Sequence, residues 1–596
     1  MAVSRRDGGP GAGATHAFAA AFVDELAAQG CRSVCLAPGS RSAPLAIAFA
    51  RHPLVRVYVH LDERSLGFFA LGLARRGERP VACLCTSGTA AVELHAAVVE
   101  AFHTGAALVV CTADRPPELR DNGAGQAIDQ LHLYGPATRW SFDAGPPVWL
   151  PDSERVWRRL AARAVSTASG PPAGPVHLNL AFRDPLTPPL GTPAAPAAPA
   201  PSVRERPPRP APPAAAAVAA LAAPLAAAQR VAIVCGGLAA GDPTLGAAVD
   251  RLAARTGAVV VAEPTSGLRS RGRPGLVTIA DVLLRDPELA AALRPDLVVR
   301  LGAPPTSGWV RSALAAADAP TLLLDPEGRW LDPEGAVTEL VRADPGRTLL
   351  ALARRLDGRP PPTAWRARWT AAELVAGRAR AAALAAAPLF EGQVVSELAR
   401  ALPARATVVV GQSLAIRAAD AFWPGAARGQ RFLANRGVSG IDGVVSTACG
   451  VAAARREPVA LLIGDLSAYH DMNGLWALRR HRLRLVVLVL DNDGGGIFSQ
   501  LPPARHQDVF EQCFGTPLGL DWARVAALYG LTHERVTEPL RLGPALRRAF
   551  ARPGSSLVAV GFAREASRAA HAAVFEAMAR AARDEVVPAP APARQG

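Results

Sequence analysis

The chain contains no lysine, so all 65 of its basic residues are arginine, and its formal net charge at pH 7 is +14. A coding bias toward GC-rich codons, which also enriches alanine, glycine and proline, is our interpretation of this composition. The arginines are scattered, and no basic run is interleaved with aromatic residues as nucleic-acid-binding surfaces require. The sequence therefore predicts no nucleic-acid partner, although four arginines stand out because they lie in loops rich in glycine and serine.

Long apolar runs are also missing, because every stretch of 18 residues contains a charged residue or proline, and we expect no membrane span. The apolar run Ala17–Val23 is followed at once by two acidic residues and predicts a helix rather than a signal peptide. Cysteine is scarce, with 8 in 596 residues, and no paired CxxC motifs form a zinc site. We interpret Cys31, Cys35, Cys83 and Cys85 as buried thiols of a reduced, cytoplasmic protein.

Two proline-rich breaks divide the chain. Its length corresponds to about three or four domains of ~150 residues, and half of its residues are hydrophobic, as in a folded globular protein. A proline- and alanine-rich stretch and the later sequence GRPPPT have the composition of linkers. We predict a first domain at 1–185, a linker at 186–216, a central α/β domain at 217–357, a linker and helix at 358–384, a third domain at 385–583, and a disordered tail at 584–596.

Short apolar strands alternate with helix-like stretches, such as Ala90–Ala101 and Asp471–Arg480, in all three segments. The predicted strands are Ser33–Ala37, Val81–Cys85, Ala107–Cys111, Val231–Cys235, Ala258–Ala262, Leu297–Leu301, Thr321–Leu324, Thr407–Val410, Val459–Ile463, Leu485–Leu490 and Leu557–Val560. This alternation predicts parallel sheets with helices on both faces, hence an α/β fold of three consecutive doubly wound domains. Because ligands of such sheets bind beyond the carboxyl ends of the strands, functional residues are expected in the loops that follow them.

One strand–helix–strand unit in the third segment carries the clearest indication of a functional site. Asp465 follows one predicted strand, and Asn492 and Gly494 follow the next, with Asn492 27 positions after Asp465. Their carboxylate, amide and carbonyl oxygens are the hard ligands that Mg²⁺ takes beside phosphates and water. A lone Gly-Asp turn would be an ordinary feature of an α/β fold, but this pair at this spacing is the signature of thiamine-diphosphate enzymes. Backbone amides beyond the first strand could bind the diphosphate; the predicted cofactor residues here are Gly464, Asp465, Leu466, Ser467, Asn492 and Gly494.

Glu63 is the predicted activating carboxylate. Thiamine diphosphate supplies the carbanion chemistry itself, but a shielded carboxyl group must bond N1′ of its aminopyrimidine ring. Glu63 follows the apolar stretch Val55–Val59 and opens a predicted helix, Gly67–Arg75. An acidic residue in the first turn of a helix can also merely complement the helix dipole, which is the part assigned to Asp62.

Several longer motifs point to one family. They are APGSRSAPL from Ala37, HLDERSLGF from His60, TSGTA from Thr86, TADRPPELRDNGAGQAID from Thr112, GQSLAIR from Gly411, ANRGVSGIDG from Ala434, and the pair GDLS and DNDGGGIF. With these motifs the chain resembles the 2-succinyl-5-enolpyruvyl-6-hydroxy-3-cyclohexene-1-carboxylate synthase family of the menaquinone pathway. The resemblance covers most of the first and third segments and is weak in the middle one.

The resemblance implies a reaction, an assembly and substrate contacts. 2-Oxoglutarate would lose carbon dioxide, and the succinyl-semialdehyde anion equivalent would add to isochorismate. The first domain would be of the pyrimidine-binding type and the third would bind diphosphate and metal, in a homodimer or homotetramer with shared active sites. Both substrates are dicarboxylates, which the planar fork of arginine binds well. The family positions for isochorismate are Ser40, Arg41, Arg115 and Gln126, and those for the succinyl carboxylate are Ser413, Arg417 and Arg436.

The same resemblance assigns cofactor contacts and exposes departures from the family pattern. The expected contacts are Thr89, Gln412, Ser413, the apolar wedge Ile441, and the thiazolium-pocket residues Ile497, Phe498 and Leu501; for the apolar ones, plain core packing is the alternative. Gln412 and Gly125 stand where relatives often have Asn. Gly308 stands where many have a basic residue, with Arg311 as a candidate substitute.

Two other functions compete with this interpretation. Another thiamine-diphosphate carboligase or lyase acting on a pyruvate-type donor would not need Arg417, because such a donor lacks a distal carboxylate. A non-catalytic relative would be expected to lose Glu63 or the metal ligands, which this chain keeps. The sequence does not choose between Mg²⁺ and Mn²⁺.

Overall fold

The computed structural model describes residues 13–77, 80–191, 202–203, 211–237, 244–269, 272–358, 360–425, 429–455 and 457–587. Its strands are β1 Ser33–Leu36, β2 Arg56–Val59, β3 Val81–Cys85, β4 Leu108–Asp114, β5 Trp140–Asp143, β6 Val176–Ala181, β7 Val231–Cys235, β8 Val259–Ala262, β9 Leu276–Val277, β10 Leu297–Leu301, β11 Thr321–Leu324, β12 Glu339–Val341, β13 Thr407–Val410, β14 Arg431–Leu433, β15 Val459–Gly464, β16 Val486–Asp491, β17 Thr532–Val536 and β18 Ser556–Gly561.

The helices are α1 Ala14–Ala28, α2 Ala43–Arg51, α3 Glu63–Arg76, α4 Thr89–Glu93, α5 His95–Thr104, α6 Ser153–Ser169, α7 Ala215–Ala227, α8 Leu245–Thr256, α9 Ala280–Leu283, α10 Pro287–Ala292, α11 Gly308–Ala316, α12 Pro345–Arg355, α13 Ala364–Ala386, α14 Glu391–Ala401, α15 Leu414–Phe422, α16 Val444–Ala454, α17 Asp465–His470, α18 Trp476–Arg480, α19 Gln507–Phe510, α20 Trp522–Tyr529, α21 Pro539–Ala551 and α22 Arg564–Val586. None of the helices in this described part of the chain combines the length and the apolar character that a membrane crossing needs.

Contacts divide the chain into two compact units. The first contains Met1–Pro208, Asn435–Arg456 and Tyr469–Leu485, and the second contains the remainder. Helix α7 begins inside the predicted first linker, and α22 continues three residues into the predicted tail. The rest of these two segments lies largely outside the described residues, so the predicted domain boundaries remain an interpretation.

The first unit holds a six-stranded parallel sheet in the order β2-β1-β3-β4-β6-β5. Helices α1, α2 and α6 supply Phe18, Phe49 and Trp157 to the apolar core on one face, and α3 packs against β3 and α5. The predicted strands at β1, β3 and β4 are confirmed. Strand β2 was noted only as an apolar stretch, and β5 and β6 were not predicted, because β5 is half exposed and β6 carries His177 and Asn179 among its apolar residues.

Helices α3 and α16 touch through their backbones in the same unit. A Cβ atom on Gly72 would lie 2.1 Å from the Thr447 carbonyl oxygen, and one on Gly450 would lie 2.0 Å from the Phe69 carbonyl oxygen. Only glycine fits at such distances, because the missing side chains are what allow the two helices to approach. This contact fixes the helix that begins with Glu63.

The second unit holds two further six-stranded parallel sheets. The central sheet has the order β12-β11-β10-β7-β8-β9, which is the 3-2-1-4-5-6 order of dinucleotide-binding folds. The other has the order β14-β13-β15-β16-β18-β17 and repeats the topology of the first sheet. All predicted strands of these segments are confirmed within one residue at their ends, whereas the sequence missed the edge strands β9, β12, β14 and β17. Three doubly wound parallel sheets are therefore confirmed.

Two predicted helices differ in detail. The stretch Ala90–Ala101 is divided at Leu94 between α4 and α5. The stretch predicted from Asp471 to Arg480 forms a 3₁₀ turn and the short α18, because the buried Asp471 carboxylate accepts bonds from the backbone N–H and the hydroxyl of Ser446 at 2.6 and 3.0 Å. These bonds hold the chain in a turn where a regular helix was expected.

Strand order reverses at one point in the first sheet and at the equivalent point in the third. β1 pairs with β2 on one side and β3 on the other, and β13 pairs likewise with β14 and β15. Connections leave such a point in opposite directions, which opens a crevice at the carboxyl ends of the two strands. The loops after β1 and β3, and after β13 and β15, are therefore the places to look for a site.

The close contact of α3 with α16 predicts the effect of one methyl group. Gly72→Ala should lower the free energy of unfolding by about 1–3 kcal/mol, because the added Cβ overlaps the Thr447 carbonyl oxygen and forces the helices apart. Scanning calorimetry would measure the shift of the unfolding midpoint. The matched control is Gly377→Ala in α13, where a Cβ meets open space and alanine should stabilise the helix by about 0.5–1 kcal/mol. Equal stability of the two variants would contradict the contact.

Candidate active site

Four loops meet at the carboxyl edge of the first sheet. The loops after β1 and β3 are in direct contact, since a Cβ on Gly39 would lie 2.4 Å from Cβ of Thr86. The loop after β1 also reaches the end of β6, where Arg41 Nη1 donates to the Phe182 carbonyl at 2.9 Å and to Asp184 Oδ2 at 3.2 Å. This edge therefore gathers residues that are far apart in the sequence.

Arg115, after β4, completes this cluster. Its Nη1 donates to Ser87 Oγ, and its Nη2 donates to Gln126 Oε1 at 3.4 Å. Burial and the nearby Arg41 guanidinium lower the pKa of Arg115, while Asp114 and Asp184 act in the opposite direction. Of the four residues predicted to bind one dicarboxylate, Arg41, Arg115 and Gln126 thus come together, and the exposed Ser40 lies beside Arg41.

The Arg41 and Arg115 pair favours an anionic ligand. Burial is the main cause of the lowered pKa of Arg115, and the positive charge of Arg41 adds to it, although Asp114 and Asp184 oppose it. A further anion beside the two guanidinium groups would favour their charged forms. The buried Nε of Arg41 has no hydrogen-bond partner among the residues that the structure describes. A buried, unsatisfied donor is costly, so a ligand oxygen at this position would be stabilised.

A buried polar network supports this edge and was missed by the sequence analysis. Gln130 accepts from the Gly88 N–H at 2.8 Å and donates to Asn179 Oδ1 at 2.9 Å. Asn179 Nδ2 donates to Asp114 Oδ2 at 2.9 Å, and Asp114 Oδ1 accepts from the Arg115 N–H at 2.7 Å. The network thereby links the loop after β3 to the loop that carries Arg115. The sequence signal that could have predicted this network is the presence of polar residues, such as Asp114 and Asn179, inside otherwise apolar strands.

Glu63 is the first residue of α3 and is half-buried. Asp62 provides the helix cap, since its carboxylate accepts from the Ser65 N–H at 3.0 Å, as expected for its ordinary structural part. Burial raises the pKa of Glu63, its own backbone N–H opposes this, and the charges of Asp62 and Glu93 raise it further. Its carboxyl group therefore keeps a proton to higher pH than a free glutamate.

The predicted cofactor residue Thr89 lies at the same edge of the first sheet. It is exposed and begins α4, directly after Gly88, whose φ of 85° lies in the left-handed region. This conformation suits glycine and turns the chain sharply after β3. Thr89 is thereby presented toward solvent beside the loop of Ser87.

The switch point of the third sheet presents Gln412 and Ser413. Gln412 is buried, and Ser413, which precedes α15, has a φ of 63°, an uncommon conformation for a residue other than glycine. Arg417 Nη1 donates to the Ser413 carbonyl at 2.8 Å, so the exposed arginine folds back toward the start of its own helix. The structure thus brings Ser413 and Arg417 together.

Arg436 and Ile441 lie in the loop 434–443, most of which belongs to the first unit by its contacts. Arg436 is half-buried, and Ile441 is 40% exposed. Leu501, predicted for the thiazolium pocket, is 45% exposed, and Ile497 and Phe498 are half-buried in a 3₁₀ segment. Plain core packing therefore does not explain Ile441 or Leu501.

Asp465 is buried at the carboxyl end of β15. Its Oδ2 accepts from the Gly494 N–H at 2.8 Å, and its Oδ1 accepts from the Leu466 N–H at 2.7 Å. Burial raises the pKa of Asp465 to about 6, opposed by these two bonds and reinforced by the charges of Asp491 and Asp493. The following helix α17 is only six residues long and also contains Leu466 and the buried Ser467.

Asn492 follows β16 and is buried with its Oδ1 unpaired among the described residues. Gly496 leaves room for this side chain, because a Cβ there would lie 2.5 Å from Asn492 Nδ2. Gly494 has a φ of 128°, and a Cβ on it would lie 2.0 Å from the Gly515 carbonyl oxygen. Gly494 is thus required for the backbone path of this loop, and Gly496 for the position of the Asn492 amide.

These donors fit a magnesium ion shared with a diphosphate. Asp465 offers a carboxylate, Asn492 an orphaned amide oxygen and Gly494 a carbonyl, which are hard oxygen ligands. No cluster of three or more His, Cys, Asp or Glu side chains suited to a metal occurs in the described part of the chain. A single carboxylate with neutral oxygens suits an ion whose other ligands are phosphate and water.

In the central domain, glycine occupies the position where many relatives were expected to carry a basic residue. Gly308 begins α11. Arg311 Nε binds Glu334 Oε1 at 2.5 Å, and its Nη1 donates to the Pro305 carbonyl at 2.7 Å. These bonds hold Arg311 within its own domain. They do not favour Arg311 as a replacement for the basic residue that relatives have at the position of Gly308.

Two protein-family models match parts of the segments that contain the first and third sheets. Residues 16–133 match the family described as thiamine pyrophosphate enzyme, N-terminal TPP binding domain, and residues 413–560 match the corresponding C-terminal TPP binding domain. The first region contains the loops after β1 and β3, and the second begins at Ser413 in the loop after β13 and contains the loop after β15. The fold and the matched regions define a thiamine-diphosphate-dependent enzyme.

Curated relatives define the family more narrowly. A 2-succinyl-5-enolpyruvyl-6-hydroxy-3-cyclohexene-1-carboxylate synthase of Geobacillus kaustophilus is 43% identical over 528 residues, which cover 88% of this chain and 90% of the relative. Enzymes of the same name from Roseiflexus castenholzii and Listeria monocytogenes are 42% and 37% identical, covering 91% and 95% of this chain and 94% and 97% of the relatives. The chain belongs to the 2-succinyl-5-enolpyruvyl-6-hydroxy-3-cyclohexene-1-carboxylate synthase family.

The packing of Asn492 against Gly496 predicts the effect of a small substitution on cofactor binding. Gly496→Ala should weaken thiamine diphosphate binding by about tenfold or more, because the new Cβ displaces the Asn492 amide and a charge-assisted contact is worth about 1.5–3 kcal/mol. Quenching of tryptophan fluorescence would measure the dissociation constant, with Gly377→Ala as the control. An unchanged dissociation constant for Gly496→Ala would show that Asn492 does not hold the cofactor's metal.

Proposed function

We propose that the chain decarboxylates 2-oxoglutarate and adds the resulting succinyl-semialdehyde anion equivalent to isochorismate, giving 2-succinyl-5-enolpyruvyl-6-hydroxy-3-cyclohexene-1-carboxylate and CO₂. The observation that carries the proposal is the proximity of two arginines at the carboxyl edge of the first sheet, Arg41 near the end of β6 and Arg115 beside Ser87. Membership in the synthase family supports it. Bound thiamine diphosphate would supply the nucleophilic carbon and the electron sink for the decarboxylation.

Isochorismate is assigned to the first-sheet loops. Arg41 and Arg115 would each bind a carboxylate through the guanidinium fork, and each such charge-assisted bond is worth about 1.5–3 kcal/mol. Ser40 and Gln126 would add neutral hydrogen bonds that orient the ring. The Nε of Arg41, which has no partner among the residues that the structure describes, supports this assignment, because a ligand oxygen would satisfy it.

The distal carboxylate of 2-oxoglutarate is assigned to Ser413, Arg417 and Arg436. Arg417 is already restrained by its bond to the Ser413 carbonyl, which lowers the entropy lost when it binds a ligand. A pyruvate-type donor has no group for these arginines. Their presence therefore favours 2-oxoglutarate over the donors of other carboligases.

Asp465, Asn492 and Gly494 would hold Mg²⁺, or Mn²⁺, against the diphosphate. We propose that the rest of the cofactor contacts Thr89, Gln412, Ser413, Ile441, Gly464, Leu466, Ser467, Ile497, Phe498 and Leu501. The apolar members of this set would exclude water from the reacting centre. Glu63 would share its proton with N1′ of the aminopyrimidine, a task that its raised pKa suits.

The proposal also includes an oligomeric state and a cellular compartment for this enzyme. We infer a homodimer or homotetramer whose active sites combine the first segment of one subunit with the third segment of another. A cytoplasmic location agrees with eight free cysteines, of which seven are buried. Sedimentation analysis of the holoenzyme would test the assembly.

A component-omission assay tests the function. The ultraviolet absorbance of isochorismate should fall only when protein, 2-oxoglutarate, thiamine diphosphate and Mg²⁺ are all present, and removal of the metal with a chelator should stop the reaction. Release of CO₂ from 2-oxoglutarate without loss of isochorismate would remove the acceptor assignment. Turnover of pyruvate instead would favour a different carboligase.

Glu63→Gln should retain the fold and bind thiamine diphosphate but lose turnover by at least about 100-fold, because an amide cannot pass a proton to and from N1′. Steady-state kcat and a cofactor titration would be measured together. The control is Glu565→Gln, an exposed glutamate paired with Arg568 on α22, which should leave both unchanged. Normal turnover of Glu63→Gln would remove this residue from the mechanism.

Arg417→Ala and Arg41→Ala form a matched pair that tests the two substrate assignments. Arg417→Ala should raise the KM for 2-oxoglutarate by about 10- to 100-fold with little change for isochorismate, and Arg41→Ala should do the reverse. Initial rates with one substrate varied and the other saturating would separate the effects. The opposite pattern would mean that the two arginine groups are exchanged.

A further inference from the structure

The loop 434–443 is anchored by a buried glutamate on α5. Glu100 Oε1 accepts from the Gly437 N–H at 2.8 Å, and its Oε2 accepts from the Val438 N–H at 2.8 Å. Glu100 is 1% exposed, so its carboxylate is almost wholly removed from water. The carboxylate is therefore compensated chiefly by two successive backbone N–H groups of this loop.

The two bonds fix the backbone immediately after Arg436. They hold the N–H groups of residues 437 and 438, so each carboxylate oxygen restrains one peptide plane, beginning with the plane that joins Arg436 to Gly437. A buried carboxylate left without its donors is costly, so the loop is held firmly while Glu100 remains charged. Burial raises the pKa of Glu100, and the bonds from Gly437 and Val438 and the charge of Arg75 oppose this.

Gly437 fits this anchor closely. A Cβ on Gly437 would lie 2.9 Å from Cβ of His103 and 3.0 Å from Glu100 Oε2, so the loop backbone rests directly on α5. The same helix supports α3, since a Cβ on Gly67 would lie 2.7 Å from Cβ of Ala97. Within the first unit, α5 thus contacts both the helix of Glu63 and the loop of Arg436.

We infer that Glu100 is a positioning residue for the donor substrate, which holds the loop of Arg436 so that this arginine can bind the distal carboxylate of 2-oxoglutarate. The inference rests on the proposed function of Arg436. Glu100 does not touch the substrate, and it acts only through the backbone of residues 437 and 438. Its loss should therefore affect the donor more than isochorismate.

Glu100→Gln tests this role with the smallest change of shape. The amide keeps one acceptor oxygen but places an NH₂ group against the second backbone N–H, so one bond is lost and the other loses its charge. We expect the KM for 2-oxoglutarate to rise by about tenfold, with the KM for isochorismate unchanged within about threefold. Glu565→Gln, at an exposed site, is the control and should change neither.

A double-mutant cycle separates positioning from general damage. If Glu100 acts through Arg436, then Glu100→Gln should have little further effect on the KM for 2-oxoglutarate in an Arg436→Ala background. Additive effects, or equal increases in KM for both substrates, would overturn the inference. If Glu100→Gln lowers the unfolding midpoint, the cycle remains decisive, because lost stability does not select one substrate. A wild-type enzyme that consumes neither substrate would instead contradict the proposed function.

Discussion

Parallel strand pairing is the constraint on which the rest of the structure depends. In a parallel sheet all carboxyl ends meet at one edge, and at the reversal of strand order two neighbouring connections diverge and leave a crevice. The first and third sheets share this reversal, between β1 and β3 and between β13 and β15. In the first sheet the crevice is bordered by the loop of Arg41, and in the third it is bordered by the loops of Ser413 and Asp465.

Loops at such an edge would be mobile without a support beneath them. Buried polar side chains provide this support by accepting from loop N–H groups: Gln130 holds Gly88, Asp114 holds Arg115, and Asp465 holds Gly494. A buried acceptor without a hydrogen-bond donor destabilises the folded state. Moving one of these loops away would leave its acceptor unpaired, so the cost of burial restrains the loop. Rigid loops in turn reduce the entropy lost on ligand binding.

Because all basic residues of the chain are arginine, an arginine in the sequence is weak evidence of a binding site. The surroundings of each side chain distinguish arginines in surface ion pairs from those suited to bind a ligand. Arg183 pairs with Glu118 in an exposed bidentate ion pair, which contributes little to stability because solvent screens it. Arg41 is largely buried, lies near another arginine, and leaves Nε without a partner among the described residues. The number of arginines marks no site by itself, whereas burial and the proximity of a second guanidinium group distinguish the arginines suited to bind anions.

The sequence by itself determined the three parallel sheets, because their central strands are continuous apolar runs, and it determined the family, because its loop motifs are local. It also placed Glu63 at the start of a helix and Asp465 at the end of a strand. Edge strands such as β5, β14 and β17 escaped prediction, since half-exposed residues lack the apolar signal. Only the tertiary structure decided which side chains support the loops. Glu100 and Gly437 are 337 residues apart in the chain, and no local pattern marks one as the partner of the other. Folding removes the Glu100 carboxylate and the Gly437 N–H from water, and the hydrogen bond between them replaces the bonds to water that both groups lose.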